Sequence, residues 1–260
     1  MKKIVLAFYE LFIWLPIMLA STFLTSLITI IGCSLGGERL FSFYPSQWWS
    51  RLVCWITFCP VTVTGRAHLD PRQSYIFVAN HQSAFDIWLI FAHLGVPIKW
   101  MMKQSLRKMF IVGKACESAG FIFVDNSSPR GIEKTIRFAK EKLQHGNSVV
   151  VFPEGSRTPD GRMQKFKKGA FQIAVDLQLP IVPLTINGAF EVMSKHTVRI
   201  RPHRMELHIH PPIPPQTIDR SDRKELVSHL QSLSEQSRTA IASALSSRYS
   251  CYSATSEPLQ

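Results

Sequence analysis

The sequence predicts an α/β domain, a central sheet flanked by helices, joined to an N-terminal membrane-embedded helical segment. Two observations carry this. Leu11 to Cys33 holds no charged residue over a length sufficient to cross a bilayer, which takes about 20 apolar residues. After Gly65, apolar runs recur at Tyr75–Ala79, Phe121–Val124, Ser148–Phe152, Ile181–Ile186 and Met205–Ile209, separated by helical patterns, the alternation of an α/β fold.

The N-terminal segment has two possible fates besides anchoring. Lys2 and Lys3 precede it as in a signal peptide, but the apolar run exceeds the usual core of about 7–15 residues. Ile30-Ile31-Gly32-Cys33 resembles a bacterial lipoprotein cleavage box, which would export the domain. For an anchor, Lys2 and Lys3 pull one flank towards the cytoplasm while Arg39, Arg51 and Arg66 pull the other the same way. A single crossing cannot satisfy both; a re-entrant or hairpin arrangement can. In it Trp48 to Val63 lies back along the same face, with Trp48, Trp49 and Trp55 at interfacial depth. Pro16 and the hydroxyls of Thr22, Thr25, Ser26 and Thr29 suit a kinked or incompletely spanning helix. Residues 1–64 are therefore expected to be a membrane anchor of two helices.

Within the domain, expected over 65–245, Ile76 to Ala79 reads as a buried strand that stops at Asn80-His81 before an apolar helix beginning at Phe85. Arg130 to His145 is a crossover helix, with Ile132, Ile136, Ala139 and Leu143 on one face and Gly146 at its end. Phe171 to Leu177 is another. Ser221 to Leu245 places Leu226, Leu230, Leu233 and Ile241 on one face of a C-terminal helix, and residues 246–260 read as a frayed tail.

Two strand exits carry chemistry. His81 and Asp86 are five apart, about 140° around an ideal helix, so one must lie outside it. With His81 in the loop and Asp86 in the first helical turn, behind Ser83 as N-cap, the carboxylate reaches the imidazole. That makes a general base with its orienting partner, although a His five residues before an Asp is more often incidental. The second exit, Pro153-Glu154-Gly155-Ser156-Arg157-Thr158, follows Ser148–Phe152. Ligands of open α/β sheets lie beyond the strand ends, so the two loops can face one crevice. Arg157 offers a planar charged fork suited to phosphate, and Gly155 permits close backbone approach, whereas turn residues of these types are commonly solvated and inert.

The chain has 30 Lys plus Arg against 18 Asp plus Glu, net +12. No nucleic-acid-binding motif accompanies the surplus, so membrane headgroups and phosphorylated substrates are the expected partners and nucleic acid is not. Five cysteines without CxxC or His-Cys spacing imply reduced thiols and no metal. His208 and His210 alternate along a strand and read as ordinary exposed residues.

NHQSAFD resembles the NHxxxxD motif, and FPEGSRT the FPEGTR-type motif, of the glycerolipid acyltransferases. Between them, Lys103-Gln104-Ser105-Leu106 and Gly120 to Asp125 resemble that family's second block, and Leu179 to Leu184 its fourth; the likeness covers Gly65 to Ile213. It implies a mixed central sheet and transfer of a fatty acyl group from acyl-CoA or acyl carrier protein to the sn-2 hydroxyl of lysophosphatidic acid. His81 and Asp86 would be catalytic. Lys103, Glu154, Gly155 and Arg157 would bind substrate, Glu154 touching the acceptor's hydroxyl or glycerol and Lys103 serving either phosphate or oxyanion. Beyond the acyl donor as co-substrate no cofactor is implied. Where the family's second block ends Asp-Arg, this chain has Asp125-Asn126. Either Arg130 supplies the missing charge or the headgroup differs. Lys165, Lys167 and Lys168 serve CoA phosphates, anionic lipid, or only a solvated face. The implied setting is a bacterial inner membrane with the domain facing the cytoplasm. Rival readings are another lysophospholipid as acceptor, an esterase or thioesterase with Ser83 as nucleophile, and a catalytically silent lipid-binding protein.

Overall fold

The computed structural model describes residues 2–125, 128–143, 147–217 and 222–246. It opens with one continuous helical run: α1 (Lys2–Tyr9), a π-helical turn (Glu10–Trp14) and α2 (Leu15–Ser34). The π turn lies directly before Pro16, whose nitrogen has no hydrogen for the carbonyl a turn earlier, so the ladder widens there. Ile4–Ser34 is the one helix among the described residues long and apolar enough to cross a membrane, 31 residues or about 46 Å at ~1.5 Å per residue. Leu11, Phe12, Leu19, Phe23, Leu24 and Ile31 are exposed along it. The opposite stripe, Ser26, Thr29 and Gly32, is buried.

That stripe docks on α4 (Tyr44–Ile56) and α6 (Val112–Ser118). Glycine is required at 32, since a Cβ there would come within 2.1 Å of the Phe41 ring. The other half of the run is tied down as well. The Tyr9 hydroxyl donates to the Ile56 carbonyl (2.6 Å), Trp14 Nε1 to Thr57 Oγ1 (2.9 Å), and the Ile200 N–H to the Glu10 carboxylate (3.1 Å). The helix therefore runs alongside the domain from Tyr9 to Gly32.

After the short helix α3 (Glu38–Phe41), α4 buries Gln47, Ser50, Val53 and Cys54 and exposes Tyr44, Trp48 and Trp55. Trp49, expected at interfacial depth, is half-buried and packs edge-on against Trp88, ring centroids 5.9 Å apart. The helix stops at Ile56, and Val61–Thr64, within the stretch expected as anchor, forms strand β1 of the sheet.

The remaining strands are β2 (Ile76–Ala79), β3 (Ile98–Lys103), β4 (Ile122–Val124), β5 (Ser148–Val151), β6 (Ile181–Asn187) and β7 (Met205–Ile209). They form a mixed sheet of order β1-β7-β6-β2-β5-β3-β4, parallel except where β6 meets β7. The remaining helices are α5 (Phe85–His93), α7 (Pro129–Leu143), α8 (Gly169–Leu177), α9 (Ala189–Val192) and α10 (Arg223–Ser243). Phe77 and Ala79 point into a core with Phe85, Leu89 and Val53, while Ile76 and Val78 point into another with Ala139, Phe171 and Leu230. A strand covered on both faces loses its polar alternation, which is why β2 reads as an unbroken apolar run.

The crossover helix expected to His145 is seen to Leu143; His145 and Gly146 lie outside the described residues, as do 247–260. The C-terminal helix α10 is capped by Asp222, whose carboxylate accepts from the Lys224 and Glu225 N–H groups. Two strands were not expected. β1 is short and half-exposed, and β3 carries Lys99 within its apolar run. Lys99 is only 2% exposed because its Nζ donates to the Glu38 carboxylate (3.2 Å), Ser42 Oγ (2.9 Å) and the Ala119 carbonyl (2.6 Å). Burial lowers its pKa. His210, expected to be exposed, is buried with Nε2 2.8 Å from Thr185 Oγ1, and burial pushes its pKa down to about 4.

Candidate active site

β2 and β5 are adjacent and parallel, with Val78 opposite Val151, so both leave the sheet at one end. Asn80 prolongs the ladder by side chain: its Nδ2 donates to the Ile186 carbonyl (2.9 Å) and its Oδ1 accepts from the Ile186 N–H (2.8 Å). His81 is the next residue and lies in the loop. Asp86 lies in the first turn of α5, fully buried, and its Oδ2 is 2.8 Å from His81 Nδ1. The same oxygen accepts from the Gln82 N–H (2.6 Å) and the Ser83 N–H (2.8 Å). These donors and the helix N-terminus stabilise the buried charge. Since an ionised carboxylate only accepts, Nδ1 carries the imidazole proton and Nε2 the lone pair.

Ser83 does not act as the formal N-cap, a position that falls on Ala84. Its hydroxyl accepts from the Phe85 N–H (3.2 Å) and donates to the Met193 carbonyl (2.6 Å).

The second loop grips His81 from three sides. The His81 N–H donates to Glu154 Oε1 (2.8 Å), and its carbonyl accepts from the Thr158 N–H (2.9 Å). Its ring stacks on Phe152 with centroids 3.9 Å apart and planes within 9°. Phe152 in turn stacks on Trp100 at 5.4 Å. Glu154, expected to touch the acceptor, braces the two loops. It is 4% exposed, and its Oε2 accepts from the Gln164 N–H (2.9 Å), so the carboxylate ties three chain segments together. Burial raises its pKa to about 7 despite those two backbone donors.

Gly155 adopts φ 77°, and a Cβ there would lie 2.6 Å from Lys167 Nζ. Glycine thus makes room for an ammonium, and the Lys167 N–H is fixed to the Pro153 carbonyl (2.9 Å). Arg157 is half-buried, one residue from the Thr158–His81 bond. Lys103 is exposed at the exit of β3, two strands from β2 at the same end of the sheet. Arg130 is exposed in the first turn of α7, after β4. β4 is three strands from β2, about 14 Å at ~4.8 Å per strand. Asn126 lies outside the described residues. The loops thus bring together His81, Asp86, Glu154, Gly155 and Arg157; Lys103 opens on the same side and Arg130 stands at its margin.

Sequence reasoning missed Phe152, Asn80 and Thr158 as parts of the site. Phe152 had a signal, as the aromatic end of a strand directly before the Glu154 loop. Its role depends on β5 lying next to β2, which the chain order conceals.

The acyltransferase family model matches residues 60–187. A 1-acyl-sn-glycerol-3-phosphate acyltransferase of Chlamydomonas reinhardtii is 34% identical over 160 residues, 61% of this chain and 48% of that protein. The human 1-acyl-sn-glycerol-3-phosphate acyltransferase alpha is 33% identical over 163 residues, 62% of this chain and 58% of that one. The chain spans about half the length of the curated relatives it matches. Among solved structures, the 1-acyl-sn-glycerophosphate acyltransferase PlsC of Thermotoga maritima superposes with a TM-score of 0.75 at 25% identity, covering 95% of this chain and 100% of that one. By fold and by these matches, the chain is similar to the glycerolipid acyltransferases, and the stretch that matches the acyltransferase family model, residues 60–187, holds both loops of the candidate site.

Proposed function

We propose that the protein transfers a fatty acyl group from acyl-CoA or acyl carrier protein to the sn-2 hydroxyl of lysophosphatidic acid, giving phosphatidic acid for phospholipid biosynthesis. The observation that carries this reading is the His81–Asp86 pair, 2.8 Å apart with three N–H donors converging on one carboxylate oxygen. Nε2 takes the acceptor's proton as its oxygen attacks the thioester carbonyl. The tetrahedral intermediate collapses, the C–S bond breaks, and the imidazolium returns the proton to the leaving thiolate. Asp86 stabilises the imidazolium through both steps. A thioester is already activated, so no acyl-enzyme is needed.

The buried Ser83 hydroxyl donates to Met193 rather than to His81, which favours direct transfer over an esterase with a serine nucleophile. Arg157 and Lys103 serve the acceptor's phosphate, and Lys167, held over Gly155, serves the donor's. A helix hydrogen-bonded to the domain at Tyr9 and Trp14 and packed on it as far as Gly32 suits a hairpin anchored from one side better than a single crossing. In this reading the domain sits on the cytoplasmic face of a bacterial inner membrane, where both acyl donors occur.

Asn126 in place of an arginine favours a second reading, in which the acceptor is a lysophosphodiester. Radiolabelled acyl-CoA offered with a panel of lysolipids tests both. Preferential labelling of phosphatidic acid supports the first, labelling of a phosphodiester product supports the second, and release of free fatty acid alone would sink the transferase reading.

A further inference from the structure

Eight consecutive residues, Lys103 to Phe110, are exposed, and between β1 and the C-terminal helix only Phe138 and Val198 besides them are large apolar side chains exposed among the described residues. Among them Leu106 is 40%, Met109 50% and Phe110 87% exposed. This is an ordered segment. Gln104–Lys108 is a 3-10 helix, the Met109 N–H donates to the Leu106 carbonyl (3.1 Å), and the Gly113 N–H to the Met109 carbonyl (2.9 Å). Gly113 closes the base of the loop, since a Cβ there would stand 2.2 Å from the Arg107 carbonyl oxygen. Ile111, a β-branched residue, is held at φ 43°, a conformation that costs energy and persists only where surrounding structure enforces it. The fold thus spends backbone strain to hold a phenylalanine out in water.

The charge around that ring is one-sided. Residues 103–118 hold Lys103, Arg107, Lys108 and Lys114 against the single carboxylate of Glu117, which pairs with Arg107 and Lys114. The place is equally specific. The loop leads directly into α6, and α6 packs on α2, the apolar helix. The loop therefore stands beside the helix whose outer face is apolar, and its own exposed Leu106, Met109 and Phe110 lie among cations.

We infer that the Leu106–Phe110 loop is a second membrane-docking element, inserting Phe110 and Met109 into the interface of a bilayer while Arg107, Lys108 and Lys114 bind its anionic headgroups. The inference rests on the membrane attachment of α1–α2 proposed above. An acidic soluble protein has complementary charge too, but position beside the lipid-facing helix selects the bilayer.

The test follows amide hydrogen exchange of the full-length protein in vesicles of phosphatidylcholine and phosphatidylglycerol, beside a Phe110→Ser/Lys108→Ser double variant. Both substituted side chains are exposed, so the two proteins should exchange alike in detergent. In vesicles, residues 103–113 of the unaltered protein are expected to exchange about tenfold more slowly than those of the double variant, the loss of one cation and one inserted ring, with residues 15–34 protected in both. Fast exchange of 103–113 in both proteins, with 15–34 protected, overturns the docking loop and leaves the anchor standing. Fast exchange of both segments overturns the anchor and the loop together. Protection of 103–113 that comes only on adding acyl carrier protein overturns the bilayer as partner and assigns the loop to an acidic protein.

Discussion

Replacing Glu154 with Gln preserves the shape of the brace and removes one acceptor. The carboxylate accepts the His81 N–H at 2.8 Å and the Gln164 N–H at 2.9 Å. An amide has one carbonyl oxygen, so one of these buried donors must face an NH2 group. A stranded buried donor costs about 1–3 kcal/mol, and where the His81 loop bears it, kcat should fall by about 5- to 150-fold. The pH dependence sharpens the test. Glu154 is held at about 7 by burial, and protonation replaces an acceptor with an O–H donor. Turnover of the unaltered enzyme should therefore decline as pH drops below about 7. Stability should move the opposite way. A carboxyl whose folded pKa is raised stabilises the fold fully below its unfolded value of about 4.3 and loses that contribution as pH rises through about 7. From that unfolded value to about 7 this amounts to about 3 kcal/mol at ~1.4 kcal/mol per pH unit. In Glu154→Gln both dependences should flatten. kcat between about pH 5 and 9, with urea unfolding at either end, reads both effects. Unchanged kcat together with an unchanged acid limb would refute the brace.

Asp86→Asn should lower kcat by about 10²–10⁴-fold while the protein still folds. Three donors converge on Oδ2 while Oδ1 has no partner among the described residues, so the amide oxygen can keep the bonds but not the charge; steady-state kinetics on a variant with native circular dichroism check this. Gly32→Ala should cost about 1–3 kcal/mol of unfolding free energy, because its methyl would meet the Phe41 ring at 2.1 Å; chemical denaturation in detergent reads it, and an unchanged midpoint counts against the close docking of α2. Arg130→Ala should raise the KM for lysophosphatidic acid by less than about threefold, as expected of an exposed charge at the margin of the site; a sharp rise would mean that Arg130 replaces the arginine missing at Asn126.

The His81–Asp86 contact was legible because five-residue spacing across a strand-to-helix junction admits few geometries, and the observed one puts His81 in the loop and Asp86 in the first turn. The long apolar helix was legible from its missing charges. β3 was hidden because Lys99 interrupts its apolar run, and the residues that satisfy that ammonium, Glu38, Ser42 and Ala119, are remote in sequence. The brace was hidden for a similar reason. Glu154 stands in a loop where an exposed carboxylate and a buried one read alike, and only the adjacency of β2 and β5 brings the His81 N–H to it. Lys167 was one of three lysines that read equally as phosphate ligands or as a solvated face, and its place beside Gly155 depends on the fold of the loop.

The central claim is that His81 is the general base for acyl transfer, and His81→Ala tests it most directly. Transfer from radiolabelled acyl-CoA to lysophosphatidic acid should lose about 10²–10⁴-fold in kcat with little change in KM, in a variant whose circular dichroism and vesicle binding match the unaltered protein. A folded variant that turns over at a near-normal rate would contradict the account.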